Sequence, residues 1–142
     1  MTHDYTTDRI ELQDVMLNYA TAVDERDIER YNACFSDDVE VVGFGPEIYY
    51  SRDSWVSHVW SVLKNYSATQ HLLGPQSATI AGDTAQTRCA VQALHVVADG
   101  SERFTLWATY HTTLHRIEGR WLIRRHELVV SASSTLSLMN QS

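Results

Sequence analysis

The sequence has few of the residues that cross-link a small fold or interrupt its helices and strands: 2 cysteines, 2 prolines and 6 glycines in 142 residues. Cys34 and Cys89 stand too far apart in sequence to form a zinc or redox motif. No apolar run approaches the roughly 18 residues that a membrane-spanning helix needs. The first residues also lack the apolar stretch of a secretion signal. These absences predict a cytoplasmic protein whose thiols stay reduced.

Positive charge is also scarce, with 11 Lys+Arg against 18 Asp+Glu and a net charge of -7. An anionic surface repels phosphate backbones and anionic lipids, so we expect neither a nucleic-acid nor a membrane partner. The 44% of hydrophobic residues is typical of a globular protein, and the length suits one domain. We therefore predict a single domain over residues 1–142, with a core from about 8 to 131 and a C-terminal tail from 132 to 142.

The first third of the chain has helical periodicity. Apolar residues recur every three or four positions from Leu12 to Val23, which predicts a helix with one buried face that starts near Thr7 or Asp8. Asp27 is a suitable N-cap for a short second helix from Ile28 to Phe35. A third helix is predicted after residue 51, with an apolar face formed by Trp55, Val56, Val59, Trp60 and Leu63.

Strand patterns dominate the rest of the chain. One short strand is predicted at 39–44, and four long strands at about 69–80, 84–97, 103–117 and 120–131, separated by turns rich in Gly and Asp. Helices at one end and consecutive strands at the other predict an α+β fold with an antiparallel sheet.

The strand at 103–117 shows how the two sheet faces are expected to sort. Tyr110 lies on its more apolar face, together with Phe104, Leu106, Ala108 and Thr112, and this face is predicted to meet the helices. Trp107 lies on the opposite face, where a large aromatic side chain suits a contact between copies of the chain. We therefore expect a homo-oligomer.

Familiar motifs of phosphate binding, serine hydrolysis and metalloproteases are absent from the sequence. His111 and His115 share a strand face but would lie roughly 13 Å apart at about 3.3 Å per residue. That separation is too large for both to bind one metal ion directly. We predict no metal site; the alternative is a site assembled from residues of different strands.

Asp24 and Tyr19 are the first candidates for functional residues. Asp24 lies at the predicted C-terminal end of the first helix, where the helix dipole disfavours an anion by about 0.3–1 kcal/mol. It is either a solvated turn residue or a carboxylate that orients a histidine in a cavity. Tyr19 lies on the apolar face of the same helix, so its hydroxyl either bonds a carbonyl in the core or reaches a polar pocket.

Three further candidates lie on the predicted strands. His71 opens the first long strand, and His95 lies on a strand whose two faces are both mixed. Each is either a structural histidine or a cavity residue. Arg125 has the same alternation as Trp121 and Ile123, so we expect it to face the core, where it would need a carboxylate or a substrate oxygen.

Three motifs together resemble the SnoaL-like branch of the nuclear-transport-factor-like superfamily, over about residues 8–131. They are Tyr19-x4-Asp24-x2-Asp27, Thr69-Gln70-His71, and Gly119-Arg120-Trp121-Leu122-Ile123. That branch resembles scytalone dehydratase, bile acid 7α-dehydratase and hexachlorocyclohexane dehydrochlorinase. The resemblance implies a cone-shaped roll, in which a curved, mostly antiparallel sheet wraps around three N-terminal helices, and a dimer or trimer.

The resemblance also implies roles for the candidate residues. Asp24 and His71 match a catalytic Asp–His dyad, and Tyr19 matches the tyrosine five positions before the aspartate. His95, Tyr110 and Arg125 match substrate-binding positions.

The implied function is a cofactor-independent acid–base lyase, first of all a dehydratase acting on a cyclic small molecule. Its dyad would abstract a carbon-bound proton, a step that needs neither a metal nor an organic cofactor. Isomerases and polyketide cyclases use the same proton abstraction and remain alternatives. A non-catalytic ligand-binding module is another alternative, as is a structural subunit such as the β-subunit of ring-hydroxylating dioxygenases.

Overall fold

The computed structural model describes residues 4–138 and has the predicted α+β architecture. Three N-terminal helices are interrupted by one short strand and are followed by four long strands. The elements are α1 Tyr5–Glu25, α2 Ile28–Asn32, β1 Phe35–Val42, α3 Arg52–Leu63, β2 Tyr66–Ala81, β3 Thr84–Val97, β4 Glu102–Ile117 and β5 Arg120–Ser137. Within the described range no helix is long and apolar enough to cross a membrane.

The strands form one curved five-stranded sheet in the order β1-β5-β4-β3-β2. Strands β2 to β5 pair antiparallel with their sequence neighbours, whereas β1 pairs parallel with β5. Helix α1 packs on β2 and β5, and α3 packs on β1 and α2, so the helices cover one face of the sheet. The apolar core lies between that face and the helices.

Helix α1 starts earlier than the sequence predicted. Its N-cap is Asp4, whose carboxylate accepts a hydrogen bond from the Thr7 backbone N–H at 3.1 Å. Asp8, one of the predicted start residues, instead lies buried inside the first turn. The predicted apolar face is confirmed, with Leu12, Met16, Tyr19 and Val23 all buried.

The second helix is shorter than predicted and the first strand begins earlier. Asp27 is the N-cap of α2, as expected, but the helix ends at Asn32 instead of Phe35. Phe35 opens β1, which pairs with β5 opposite Ile123, and it is fully buried. Pairing with a distant strand therefore overrides the local helical pattern. The same strand ends at Val42, two residues before the predicted end.

The predicted C-terminal tail is largely a strand. Residues 131–137 continue β5 and pair antiparallel with the start of β4, from Glu102 opposite Ser137 to Trp107 opposite Ala132. The strand predicted to end at about residue 131 therefore continues to Ser137, because its backbone pairing with β4 continues although the side chains beyond Leu128 are exposed. Residues 139–142 of the predicted tail lie outside the described residues.

The two faces of β4 sort as predicted. Ala108, Tyr110 and Thr112 are buried against the helix side, whereas Trp107 on the outer face is 38% exposed. The outer groove beside Trp107 also contains the apolar side chains of Leu72 and Leu136. A homo-oligomer stays a prediction.

Gly43 ends β1 in a conformation and a space that suit only glycine. Its φ is +89°, and a Cβ there would collide with the backbone oxygen of Leu128. We expect Gly43→Ala to lower the free energy of unfolding by about 2 kcal/mol, measured by urea denaturation. Gly45→Ala is the control, since Gly45 also has a positive φ, of +112°, but has open space around it. Equal losses of unfolding free energy in the two variants would show that the collision with Leu128 does not cause the destabilisation.

Candidate active site

The C-terminal end of α1 is tied to the start of β2 through Asp24. Arg26 follows with a left-handed φ of 61°, which ends the helix. The Arg26 guanidinium donates to Thr69 Oγ1 at 2.8 Å, and the Thr69 hydroxyl donates to Asp24 Oδ1 at 3.0 Å. Asp24 is therefore not a solvated turn residue, because its carboxylate is anchored to the sheet.

The Asp24 carboxylate also contacts His71 twice. The backbone N–H of His71 donates to Oδ2 at 2.8 Å, and the ring Nδ1 lies 2.8 Å from Oδ1. The His71 and Asp24 side chains are 11% and 21% exposed. The structure thus brings together two residues that are 47 positions apart in sequence.

The protonation of this pair follows from its contacts. Burial raises the pKa of Asp24, but the hydrogen bonds from His71 and Thr69 outweigh burial and hold that pKa below its ordinary value of 3.8. Asp24 is therefore a carboxylate at neutral pH and accepts the Nδ1–H of His71. In a neutral His71 ring the single proton then lies on Nδ1, and the Nε2 lone pair is free to accept a proton.

His71 opens onto a cavity of about 410 Å³ under the helices. The volume lies within the range of small-molecule sites. The described residues that line it include no Asp, Glu, Lys or Arg, and most are apolar or aromatic. The lining comprises Tyr19, Val23, Tyr31, Phe44, Trp55, His58, Val59, Val62, Leu63, Tyr66, His71, Ala93, His95, Leu106, Tyr110 and Leu128.

His95 lies beside His71 in the same cavity, with ring centroids 5.9 Å apart. Burial, and then the nearby His71, lower the pKa of His95 below its ordinary value of 6.5. The ring is therefore neutral at neutral pH. Its Nδ1 faces the Phe104 carbonyl oxygen at 3.4 Å, so Nδ1 holds the proton and Nε2 can accept a hydrogen bond from a substrate hydroxyl.

Tyr19 and Tyr110 lie in the wall of the cavity, in a cluster of buried aromatic rings. Their ring centroids are 5.4 Å apart, and Tyr31 packs 5.0 Å from Tyr19. Burial raises the pKa of both Tyr19 and Tyr110 well above 10. Both hydroxyls thus keep their protons at any working pH and can act as hydrogen-bond donors.

Arg125 lies elsewhere, and the prediction that it faces the core was wrong. Its guanidinium Nε donates to Glu40 Oε2 at 2.8 Å, and its side chain is 42% exposed. The cause is a β-bulge: Thr113 pairs with Arg125 and Leu114 with Ile123, which leaves Arg124 as an extra residue. The alternation of β5 therefore shifts by one position after Ile123.

The same bulge turns His126 inward, a residue that the regular alternation of β5 does not predict to be buried. His126 is fully buried and lies 3.1 Å from the Tyr19 hydroxyl, behind the cavity wall. His58 was also missed: it lies on α3 outside the face predicted for that helix, yet it lines the cavity. Its position next to Trp55 and Val59 in the helical pattern was a usable signal.

No group of three or more His, Cys, Asp or Glu side chains within residues 4–138 is placed to hold a metal ion. Cys34 and Cys89 are both free and buried, and burial raises the pKa of each thiol, for Cys34 to about 12. Neither is therefore a reactive thiolate at neutral pH.

Solved structures with this fold include several small-molecule enzymes. A protein proposed to be a scytalone dehydratase, from Novosphingobium aromaticivorans, has a TM-score of 0.85 at 20% identity, covering 91% of this chain and 87% of that one. A type 2 hexachlorocyclohexane dehydrochlorinase has a TM-score of 0.86 at 19% identity, covering 96% and 94%. At these identities the likeness shows the fold alone.

A protein proposed to be an aromatic ring hydroxylase, also from Novosphingobium aromaticivorans, has a TM-score of 0.85 at 26% identity, covering 97% of this chain and 98% of that one.

The sequence relatives carry no described activity, whereas a family model matches most of the chain. Uncharacterized proteins of Mycobacterium tuberculosis and Mycobacterium bovis are 30% identical over 86 residues, which are 58% of this chain and 56% of theirs. The chain thus spans about half the length of the curated relatives that it matches. The SnoaL-like domain family matches residues 4–127, which is most of the chain. The protein therefore belongs to the SnoaL-like domain family.

Proposed function

We propose that this protein is a cofactor-independent acid–base lyase that removes water from a neutral, cyclic hydroxyketone. The observation that carries the proposal is the 2.8 Å contact between Asp24 Oδ1 and His71 Nδ1 at the edge of an apolar cavity. The contact leaves His71 Nε2 as a base near substrate and keeps the compensating negative charge fixed behind the ring.

The cavity lining indicates the substrate class. It contains no Lys or Arg among its described residues, so a carboxylate or phosphate would enter without a counter-charge. Six Tyr, Phe or Trp side chains and seven aliphatic ones form most of the wall and suit a flat or cyclic carbon skeleton. The few polar groups, among them Tyr19, His95 and Tyr110, suit the oxygens of a neutral ketone and its hydroxyl group.

The first step is removal of the proton on the carbon next to the ketone. His71 Nε2 takes that proton, and the electrons of the broken C–H bond move onto the ketone oxygen as an enolate. The imidazolium is stabilised by the Asp24 carboxylate. A tyrosine hydroxyl, Tyr19 in this proposal, donates to the enolate oxygen.

The second step expels the β-hydroxyl group. The enolate electrons form the carbon–carbon double bond as the C–O bond breaks, and the proton on His71 Nε2 passes to the departing oxygen. Water leaves, and His71 returns to its neutral form with Nδ1–H still bonded to Asp24. One histidine thus acts as base and then as acid, while His95 accepts a hydrogen bond from a substrate hydroxyl.

The test is turnover of neutral cyclic β-hydroxyketones, beginning with 3-hydroxycyclohexanone and 3-hydroxy-1-tetralone. Formation of the enone or naphthol is followed by ultraviolet absorbance, and proton abstraction by exchange of carbon-bound hydrogen for deuterium in D₂O. We expect the wild-type protein to accelerate both, and His71→Gln to accelerate neither. Binding of these ketones with no exchange and no elimination would contradict the proposal and favour a non-catalytic ligand-binding module.

A further inference from the structure

His126 is a fully buried histidine that does not line the cavity but touches a residue that does. Its Nε2 lies 3.1 Å from Tyr19 Oη, and its Nδ1 lies 2.9 Å from Thr112 Oγ1, its direct partner across the β4–β5 ladder. The rings of Tyr19 and Tyr110 pack 5.0 and 4.8 Å from its own. Burial lowers the pKa of His126 to about 3, so the ring is neutral at working pH.

A neutral ring between two hydroxyls has two possible arrangements of protons. In one, Nδ1–H donates to Thr112 and Nε2 accepts the Tyr19 proton, which turns only the lone pairs of Tyr19 toward the cavity. In the other, the Thr112 hydroxyl donates to Nδ1, and Nε2–H donates to Tyr19 Oη. Only the second arrangement leaves the Tyr19 proton available for a further hydrogen bond.

Thr112 decides between these arrangements. Its side chain is 3% exposed, and within the described residues its hydroxyl has no hydrogen-bond partner other than His126 Nδ1. If Nδ1 carried the proton, the Thr112 hydroxyl proton would be buried without an acceptor, which is costly. Tyr19, in contrast, lines the cavity, so its hydroxyl proton can point into open space when His126 Nε2–H occupies its oxygen.

We propose that Thr112 holds His126 as the Nε2–H tautomer, so that His126 donates to Tyr19 and directs the Tyr19 proton toward the cavity. His126 is then a positioning residue that acts through Tyr19. It makes Tyr19 a hydrogen-bond donor to the substrate oxygen on which negative charge develops. This role rests on the proposed function, whereas the tautomer itself does not.

The tautomer is measured by two-dimensional ¹H–¹⁵N NMR of the imidazole nitrogens, which distinguishes Nε2–H from Nδ1–H by the correlation pattern of the two ring nitrogens. His126→Gln assigns the signal among the 7 histidines of the chain. We expect the Nε2–H pattern, unchanged from pH 8 to pH 5. An Nδ1–H pattern overturns the inference whether or not any ketone is turned over.

Activity variants test the link to Tyr19, using the ketone that the wild-type protein converts best. Tyr19→Phe should lower kcat by about 100-fold, the effect of losing one donor to a developing oxyanion. His126→Phe should lower kcat by roughly tenfold with little change in KM, since Tyr19 remains but is no longer oriented. His126→Gln, whose amide can donate to Tyr19 and accept from Thr112, should recover most of the loss.

Melting temperatures of the three variants separate orientation from packing. Equal losses of kcat in His126→Phe and His126→Gln would show that His126 serves packing alone, and would overturn the positioning role. Full activity in Tyr19→Phe would overturn it as well. If no ketone is turned over by the wild-type protein, the proposed function fails, and the NMR pattern still decides the tautomer.

Discussion

Replacing His71 by glutamine should lower turnover of the best ketone substrate by about 10³-fold, the contribution typical of a positioned general base. Glutamine keeps a polar side chain of similar length but has no nitrogen that can take up a proton. The fold should persist, because the two hydrogen bonds from Thr69 Oγ1 and the residue 71 backbone N–H to Asp24 do not need the imidazole. Activity is measured by initial rates, and folding by circular dichroism.

Asp24→Asn should have a comparable effect for a different reason. The asparagine amide no longer offers a carboxylate to Nδ1–H, so the ring loses both its tautomer and the charge that stabilises the imidazolium. Because the two residues act as a unit, the double variant should be hardly less active than either single variant.

The control for both is His111→Gln, the same chemical change on the outer face of β4, opposite Arg88 and away from the cavity lining. It should leave the rate within about twofold of wild type. A His71→Gln protein with wild-type activity would show that the dyad does not carry the chemistry.

The second large effect concerns stability. Asp8 in the first turn of α1 and Arg116 near the end of β4 form a bidentate ion pair, at 2.9 and 3.2 Å, and both side chains are only 5% exposed. Arg116 also donates to Asp83 and lies 4.3 Å over the ring of Trp121. This pair fastens the N-terminal helix to the sheet.

Arg116→Met keeps much of the side-chain volume but leaves the buried Asp8 carboxylate without this cation. We expect the free energy of unfolding, from urea denaturation, to fall by about 3 kcal/mol.

Arg124→Met provides the matched control, because the Arg124–Asp38 pair is at the surface, with the Asp38 side chain 70% exposed. Arg124→Met should lower the free energy of unfolding by less than about 1 kcal/mol. Similar losses of unfolding free energy in Arg116→Met and Arg124→Met would mean that the buried ion pair stabilises the fold no more than the exposed one.

Patterns that depend on near neighbours were readable from the sequence. The apolar periodicity from Leu12 to Val23 and the turn residues between the strands are local features, and they predicted α1, α3 and the four long strands, with the end of β5 as the largest error. The position of Asp24 at a helix end follows from the same periodicity. Local chemistry explains these successes, since a helix face or a turn is decided within a few residues.

The alternation of β5 shows where local patterns fail. One extra residue, Arg124, shifts the strand by one position and exchanges the expected places of Arg125 and His126. A bulge arises from the pairing of two strands, so neither strand records it alone. Phe35 is a similar case. It pairs with Ile123 of β5, which is 88 residues away in sequence, and α2 therefore ends before it.

The sequence by itself determined the α+β class, the long strands and the residues Asp24 and His71 as candidates. Only the tertiary structure decided that Asp24 Oδ1 lies 2.8 Å from His71 Nδ1, that His71 and Tyr19 line one cavity, and that His126 lies behind Tyr19. The physical reason is distance along the chain: these contacts join residues 47 and 107 positions apart, and no local propensity reaches that far.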